Sequence, residues 1–108
     1  MMDALIVVDM QVGLLNGATK HDLPSVIDRI NSLSSMIRKG GGKVVWIRHC
    51  GKVNDGFERG TPGWEFLPEL GRHDDDLVVE KTLNDPYVGT PLAELLARMR
   101  PRRVLVAG

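Results

Sequence analysis

Four short apolar runs and two amphipathic stretches organise the chain. The first run, Ala4-Leu5-Ile6-Val7-Val8, is continuous, largely β-branched and ends at Asp9. Unbroken runs of this kind mark strands covered on both faces in a parallel sheet. After Asn16 and Gly17 a loop is expected, and Asp22-Leu23-Pro24-Ser25 reads as a helix start with proline in the first turn. Val26, Ile30, Leu33 and Ile37 then recur at helical spacing, and Gly40-Gly41-Gly42 stops the helix. Arg38 and Lys39 suit the negative end of its dipole. Lys43-Val44-Val45-Trp46-Ile47-Arg48 is the second predicted strand, completing a right-handed βαβ unit.

From Gly51 to Asp76 no regular period survives, and glycines and prolines punctuate the segment. A loop of that length in a small domain is usually functional or mobile, and Trp64, Phe66 and Leu67 are its candidate anchors. Leu77 to Thr82 is the third strand. Thr90 is expected to cap a short helix with Pro91 at its first position and Leu92, Leu95, Leu96 and Met99 on its apolar face. Arg103 to Gly108 is the fourth strand, and a strand ending at glycine ordinarily turns into a helix facing the ligand crevice. An apolar edge there invites pairing with another chain, so a homo-oligomer or a complementing chain is expected through the fourth strand. Strands alternating with helices make this an α/β fold with a parallel sheet.

Composition narrows the reading further. With 108 residues there is room for one domain. Lys and Arg total 14 against 14 Asp and Glu, so the net charge is zero, which argues against nucleic acid or an anionic membrane as partner. No apolar stretch approaches the roughly 20 residues of a membrane span. Met1-Met2-Asp3 offers no basic leader, and Cys50 is the single cysteine, so no internal disulfide forms and a cytoplasmic location is expected.

Asp9 stands where a strand leaves the sheet at its carboxyl end, the rim at which open α/β folds bind ligands. There it reads either as a general base or as a loop-capping carboxylate. Lys81 is unusual on an otherwise buried strand because its ammonium needs a partner; a carboxylate from a neighbouring strand end would serve, and an edge lysine that discourages aggregation is the alternative. Glu80 would face the other way, towards solvent. His49 and Cys50 are adjacent on extended backbone and so point apart, which leaves Cys50 best read as a small core residue. His21, His49 and His73 are scattered, Asp74-Asp75-Asp76 reads as a solvated turn, and no metal motif occurs. Gly40-Gly41-Gly42 precedes a strand and cannot be a phosphate loop. Trp64 and Tyr87 read as packing residues unless the long loop closes over a pocket.

Three ordered motifs together resemble the isochorismatase-like hydrolases, the family that includes nicotinamidases and N-carbamoylsarcosine amidohydrolase. Ala4 to Gln11, with Asp9-Met10-Gln11, is similar to the family's opening strand and its D-x-Q ending. Gly60-Thr61-Pro62-Gly63-Trp64 followed by Pro68-Glu69-Leu70 is similar to its G-T-x-G-W…P-E-L loop. Lys81, then Tyr87 with Gly89-Thr90 and Leu92, resembles its K…F-x-G-T-x-L, with tyrosine for phenylalanine. The resemblance covers essentially the whole chain. It implies the N-terminal part of a Rossmann-like three-layer α/β/α domain over residues 1–108, truncated at its C-terminus, with strand order 3-2-1-4. It implies a small-molecule substrate and no cofactor, with Asp9 and Lys81 as two members of a catalytic triad. Gln11, Trp64 and Tyr87 become the substrate-binding candidates. The family's third member is a cysteine just past the fourth strand, a position beyond Gly108 that Cys50 does not match, so this chain alone is expected to be inactive. Arg48-His49-Cys50-Gly51 lacks the D-x-H element of metal-using members, and no catalytic metal is expected. Beside amide hydrolysis stand two alternatives: vinyl ether cleavage without a cysteine nucleophile, and a silent binding or assembly fragment.

Overall fold

The computed structural model describes residues 2–15 and 23–108. The loop expected at Asn16 and Gly17, the start at Asp22, and His21 lie outside the described residues. In chain order the elements are β1 (Asp3–Val8), α1 (Val12–Leu15), α2 (Leu23–Lys39), β2 (Lys43–His49), a single 3-10 turn (Pro62–Trp64), β3 (Leu77–Lys81), α3 (Leu92–Met99) and β4 (Arg103–Ala107). The strands form one parallel sheet in the order β3-β2-β1-β4, the α/β arrangement expected from the sequence. Among the described residues no helix is long and apolar enough to cross a membrane.

The unbroken apolar runs are explained by cover on both faces. Leu5, Val7, Val44 and Trp46 pack under α2, while Ile6, Val45, Ile47 and Val79 pack under α3. The buried stripe of α2 is Ile27, Ile30, Ser34 and Ile37, with Val26 and Leu33 at its flanks. A serine at the centre of that stripe is the departure from the apolar pattern. Ser34 fits because its hydroxyl donates to the Asn31 carbonyl at 3.1 Å, so no buried polar group is left open. The helix stops where expected. Gly41 takes a positive φ of 79°, and a side chain at Gly42 would overlap the carbonyl oxygen of Asp3.

The long segment after β2 is anchored by Phe66, Leu67 and Leu70, all buried in the α2-side core. It also runs alongside the chain that leaves β1. Gln11 and Phe66 form an isolated antiparallel bridge, Val12 N–H donates to the Glu65 carbonyl at 2.9 Å, and Leu67 N–H donates to that of Met10 at 3.1 Å. Sequence patterning missed α1 and this bridge, because neither has a period of its own.

Two expectations need correction. Asp76 does not belong to a solvated turn: its side chain is 3% exposed. It accepts from Arg38 Nε and Nη2 at 3.0 and 2.5 Å, from Trp46 Nε1 at 2.9 Å and from His73 N–H at 2.9 Å. Arg38, read as a dipole partner, is thus the clamp between α2 and the entry to β3. Thr90 lies one residue before the cap position it was expected to fill; Pro91 takes that position, while the Thr90 hydroxyl donates to the Pro86 carbonyl and accepts the Leu92 N–H. Glu80 is the more exposed member of its pair with Lys81, at 32% against 3%, and is paired with Arg59 at 2.6 Å. At the other edge β4 is held by an Arg103–Asp3 ion pair of 2.7 Å, with Val104 and Val106 exposed at 43% and 69%.

Burial pushes the Asp76 carboxyl up, but the hydrogen bonds from Arg38, Trp46 and His73 outweigh it and hold the group below its ordinary value. The stability it contributes is therefore complete above about pH 4 and is lost as pH falls through the lowered folded value. Asp76→Asn is expected to cost about 3 kcal/mol at neutral pH. It should also flatten the acid limb, as measured by urea unfolding at pH 7 and pH 3.

Candidate active site

At the carboxyl end of β1 the backbone leaves the sheet abruptly. Asp9 N–H still donates to the Ile47 carbonyl at 3.0 Å, as the ladder requires, yet Asp9 takes a left-handed φ of 59°. Aspartate tolerates that conformation better than most residues, at a cost of about 1 kcal/mol. The turn brings its carboxylate to the ammonium of Lys81, with Oδ2 and Nζ 3.2 Å apart. Lys81 lies two strands away on β3, in register with His49. Its side chain is 3% exposed against 30% for Asp9, and Nζ also donates to the Leu83 carbonyl at 3.3 Å. Asp9 Oδ1 is buried without a hydrogen-bond partner. The pair therefore offers a held cation and, beside it, a carboxylate oxygen free to accept a proton.

Gln11, expected to contact a substrate, is wholly buried and fully engaged within the chain. Its Nε2 donates to the carbonyls of His49 and Trp64 at 2.9 and 2.8 Å, and its Oε1 accepts the His49 N–H at 2.8 Å. Both of its N–H groups are thus taken up within the chain.

Trp64 is partly buried. Its indole N–H points to Cys50 Sγ at 3.2 Å, and the Arg48 guanidinium lies 3.9 Å over its ring. Cys50 Sγ also meets Glu80 Oε2 at 3.3 Å, and Glu80 alternates with Lys81 along β3, so the thiol lies on the sheet face away from the Asp9–Lys81 pair. The His49 ring turns elsewhere, edge-on to Phe57 at 5.8 Å. Tyr87 is half exposed on the segment joining β3 to α3; its N–H donates to Asp85, and no hydrogen bond joins it to the pair among the described residues.

Sequence reasoning missed Arg48. Its guanidinium is 4.2 Å from the Phe66 ring and 3.9 Å from that of Trp64, and its buried Nε has no partner. Burial pulls it below its ordinary pKa, opposed by the charges of Glu65 and Glu80. Nothing local announces such a stack, because its members come from β2 and from the long loop. Among the described residues no three His, Cys, Asp or Glu side chains converge as a metal centre would require.

With this geometry the chain can be compared with known proteins. It matches the isochorismatase domain over residues 3–108, and it belongs to that family. It is 31% identical to the streptothricin hydrolase of Streptomyces noursei over 108 residues, covering 99% of this chain and 43% of that protein. Among solved structures it is similar to an isochorismatase from Pseudomonas putida, with 28% identity and a TM-score of 0.85 over 96% of this chain and 54% of that one. It is also similar to the pyrazinamidase of Pyrococcus horikoshii, solved with zinc, at 25% identity and a TM-score of 0.82, covering 98% of this chain and 69% of that one. The chain thus spans less than half the length of the streptothricin hydrolase it matches.

The ion pair is asymmetric, and mutation should reveal it. Asp9→Ala strands a buried ammonium and is expected to cost about 2–4 kcal/mol, whereas Lys81→Met removes the buried charge, leaves Asp9 its solvent, and should stay within about 1 kcal/mol of the parent. Paired chemical denaturation curves measure the difference.

Proposed function

We propose that this chain carries the acid–base half of a hydrolase acting on a C–N bond of a small amide. The observation that supports it is the Asp9–Lys81 pair, with its unpartnered Oδ1, at the carboxyl rim of the sheet. In this reading Asp9 is the general base and Lys81 is the buried counter-charge that positions it. The nucleophile is a cysteine beyond Gly108, in keeping with the share of the relatives' length that this chain spans. Support for that location comes from Gly108, where a side chain would overlap the main chain of Val8, one residue before Asp9. Chain continuing from β4 would emerge beside the carboxylate.

The proposed chemistry balances. Asp9 accepts the thiol proton as sulfur attacks the amide carbonyl, then returns it to the departing amine, leaving a thioester. Asp9 next takes a proton from water as it attacks the thioester, and collapse releases the carboxylic acid and restores the thiol. Lys81 takes no part in these proton transfers. The ring of Trp64 and the exposed Tyr87 remain proposed substrate contacts, from the segments that precede and follow β3 in sequence. Among the names borne by relatives, that of the pyrazinamidase is consistent with an amide substrate.

The test is release of amine or ammonia from a panel of small amides. The 108-residue chain alone is expected to give none. The chain extended to the cysteine beyond Gly108 should turn over, with Asp9→Asn and Lys81→Met each lowering kcat about 1,000-fold or more. Turnover that survives Asp9→Asn overturns the proposal. So does turnover by the short chain that Cys50→Ser abolishes, which would put the nucleophile on the other face.

A further inference from the structure

We infer that Gln11 is the positioning residue of the Asp9–Lys81 pair, acting by replacing the main chain of β1 where that strand must be broken. The inference rests on the hydrolytic reading for its purpose and on hydrogen-bond geometry for its content. In a parallel ladder the bonds alternate from one strand to the other at even spacing. β1 and β2 follow that pattern up to the bond from Asp9 N–H to the Ile47 carbonyl. The next two rungs of an unbroken ladder would be His49 N–H to the Asp9 carbonyl and Gln11 N–H to the His49 carbonyl. Neither forms through the backbone of β1. The left-handed turn at Asp9 folds the chain back, so that Gln11 N–H donates to the Asp9 carbonyl at 2.9 Å.

His49 would then be left with a donor and an acceptor unpaired on its β1 side. The Gln11 carboxamide supplies both missing groups, with Oε1 accepting the His49 N–H at 2.8 Å and Nε2 donating to the His49 carbonyl at 2.9 Å. A primary carboxamide has the same acceptor and donor as a peptide unit, and one N–H to spare. The spare N–H donates to the Trp64 carbonyl at 2.8 Å, tying the 3-10 turn to the same point.

The consequence reaches Lys81. His49 is the register partner of Lys81, and Cys50 N–H donates to the Lys81 carbonyl at 2.8 Å. Gln11 therefore fixes the end of β2 against which the base of the Lys81 side chain is set, while releasing the Asp9 backbone to turn its carboxylate over. Aspartate could otherwise leave the ladder only by fraying the end of β2. Gln11 touches neither carboxylate nor ammonium and has no free donor, so its effect on the pair passes through backbone position alone.

Hydrogen exchange followed by NMR on the 108-residue chain tests this, using Gln11→Met, Gln11→Glu and Ile30→Ala, a core variant on α2 remote from the strand ends. In Gln11→Met the amides of Asp9, His49 and Cys50 are expected to exchange about tenfold faster or more relative to those of Leu5 and Val44. The through-space contact between the Lys81 and Asp9 side chains should disappear with them. Gln11→Glu still accepts the His49 N–H but has nothing to donate, so it should spare the His49 amide alone. Ile30→Ala should raise exchange evenly and keep the contact. Survival of the contact in Gln11→Met, or an even rise through the whole sheet, overturns the proposal. Should Gln11→Met fail to fold, the parent chain still decides: both Gln11 carboxamide protons must exchange slowly, and free exchange refutes the bonding. None of these readouts needs turnover, so absent amide hydrolysis with the expected exchange pattern sinks the hydrolytic reading and leaves the placement of Gln11 standing.

Discussion

A buried ammonium is the constraint around which the carboxyl rim of this sheet is arranged. Lys81 is 3% exposed, and such a charge is tolerated only when a counter-ion and hydrogen-bond acceptors come with it. The counter-ion is Asp9, two strands distant, and it arrives only because the chain breaks out of the ladder at a left-handed residue. Once that break is accepted, β2 needs another source of hydrogen bonds, and the Gln11 carboxamide provides it. Gln11 in turn binds the Trp64 carbonyl, which brings the long loop to the same rim. One ion pair thus accounts for the strained residue, the buried amide and the docking of the loop.

The architecture was largely legible because it rests on local signals. Continuous β-branched runs specify covered strands, and the three glycines after Lys39 end α2 for reasons of backbone freedom and close approach. Asp9 and Lys81 stood out for the same kind of reason: each is a charge at the end of a strand that opens on an apolar run. Gln11 stands out through its motif, but its bonding does not, since a polar residue beside a candidate site looks the same in sequence whether it faces a ligand or a peptide. Asp76 was misread because the third residue of an acidic run gives no sign that Trp46 and Arg38 will converge on it from β2 and α2. The Arg48 stack was invisible for a related reason, its members being separated by 16 and 18 residues of irregular chain.

The two ends of the sheet differ in how completely they satisfy their polar groups. Near the start of β3 the buried carboxylate of Asp76 has four hydrogen bonds from three residues, and a clamp so fully paired has nothing to offer a ligand. At the opposite rim, among the described residues, stand the two buried side-chain atoms that lack a partner, Asp9 Oδ1 and Arg48 Nε. Open valences of this kind cost about 1–3 kcal/mol each when a neutral group is concerned, and more when the group is charged. Natural sequences rarely carry that cost without a use for it. The same sequence that saturates one end leaves an acceptor on Asp9 and a donor on Arg48 at the ends of adjacent strands β1 and β2. That gradient of satisfaction is a stability argument for placing the chemistry at the carboxyl rim, independent of any likeness to other proteins.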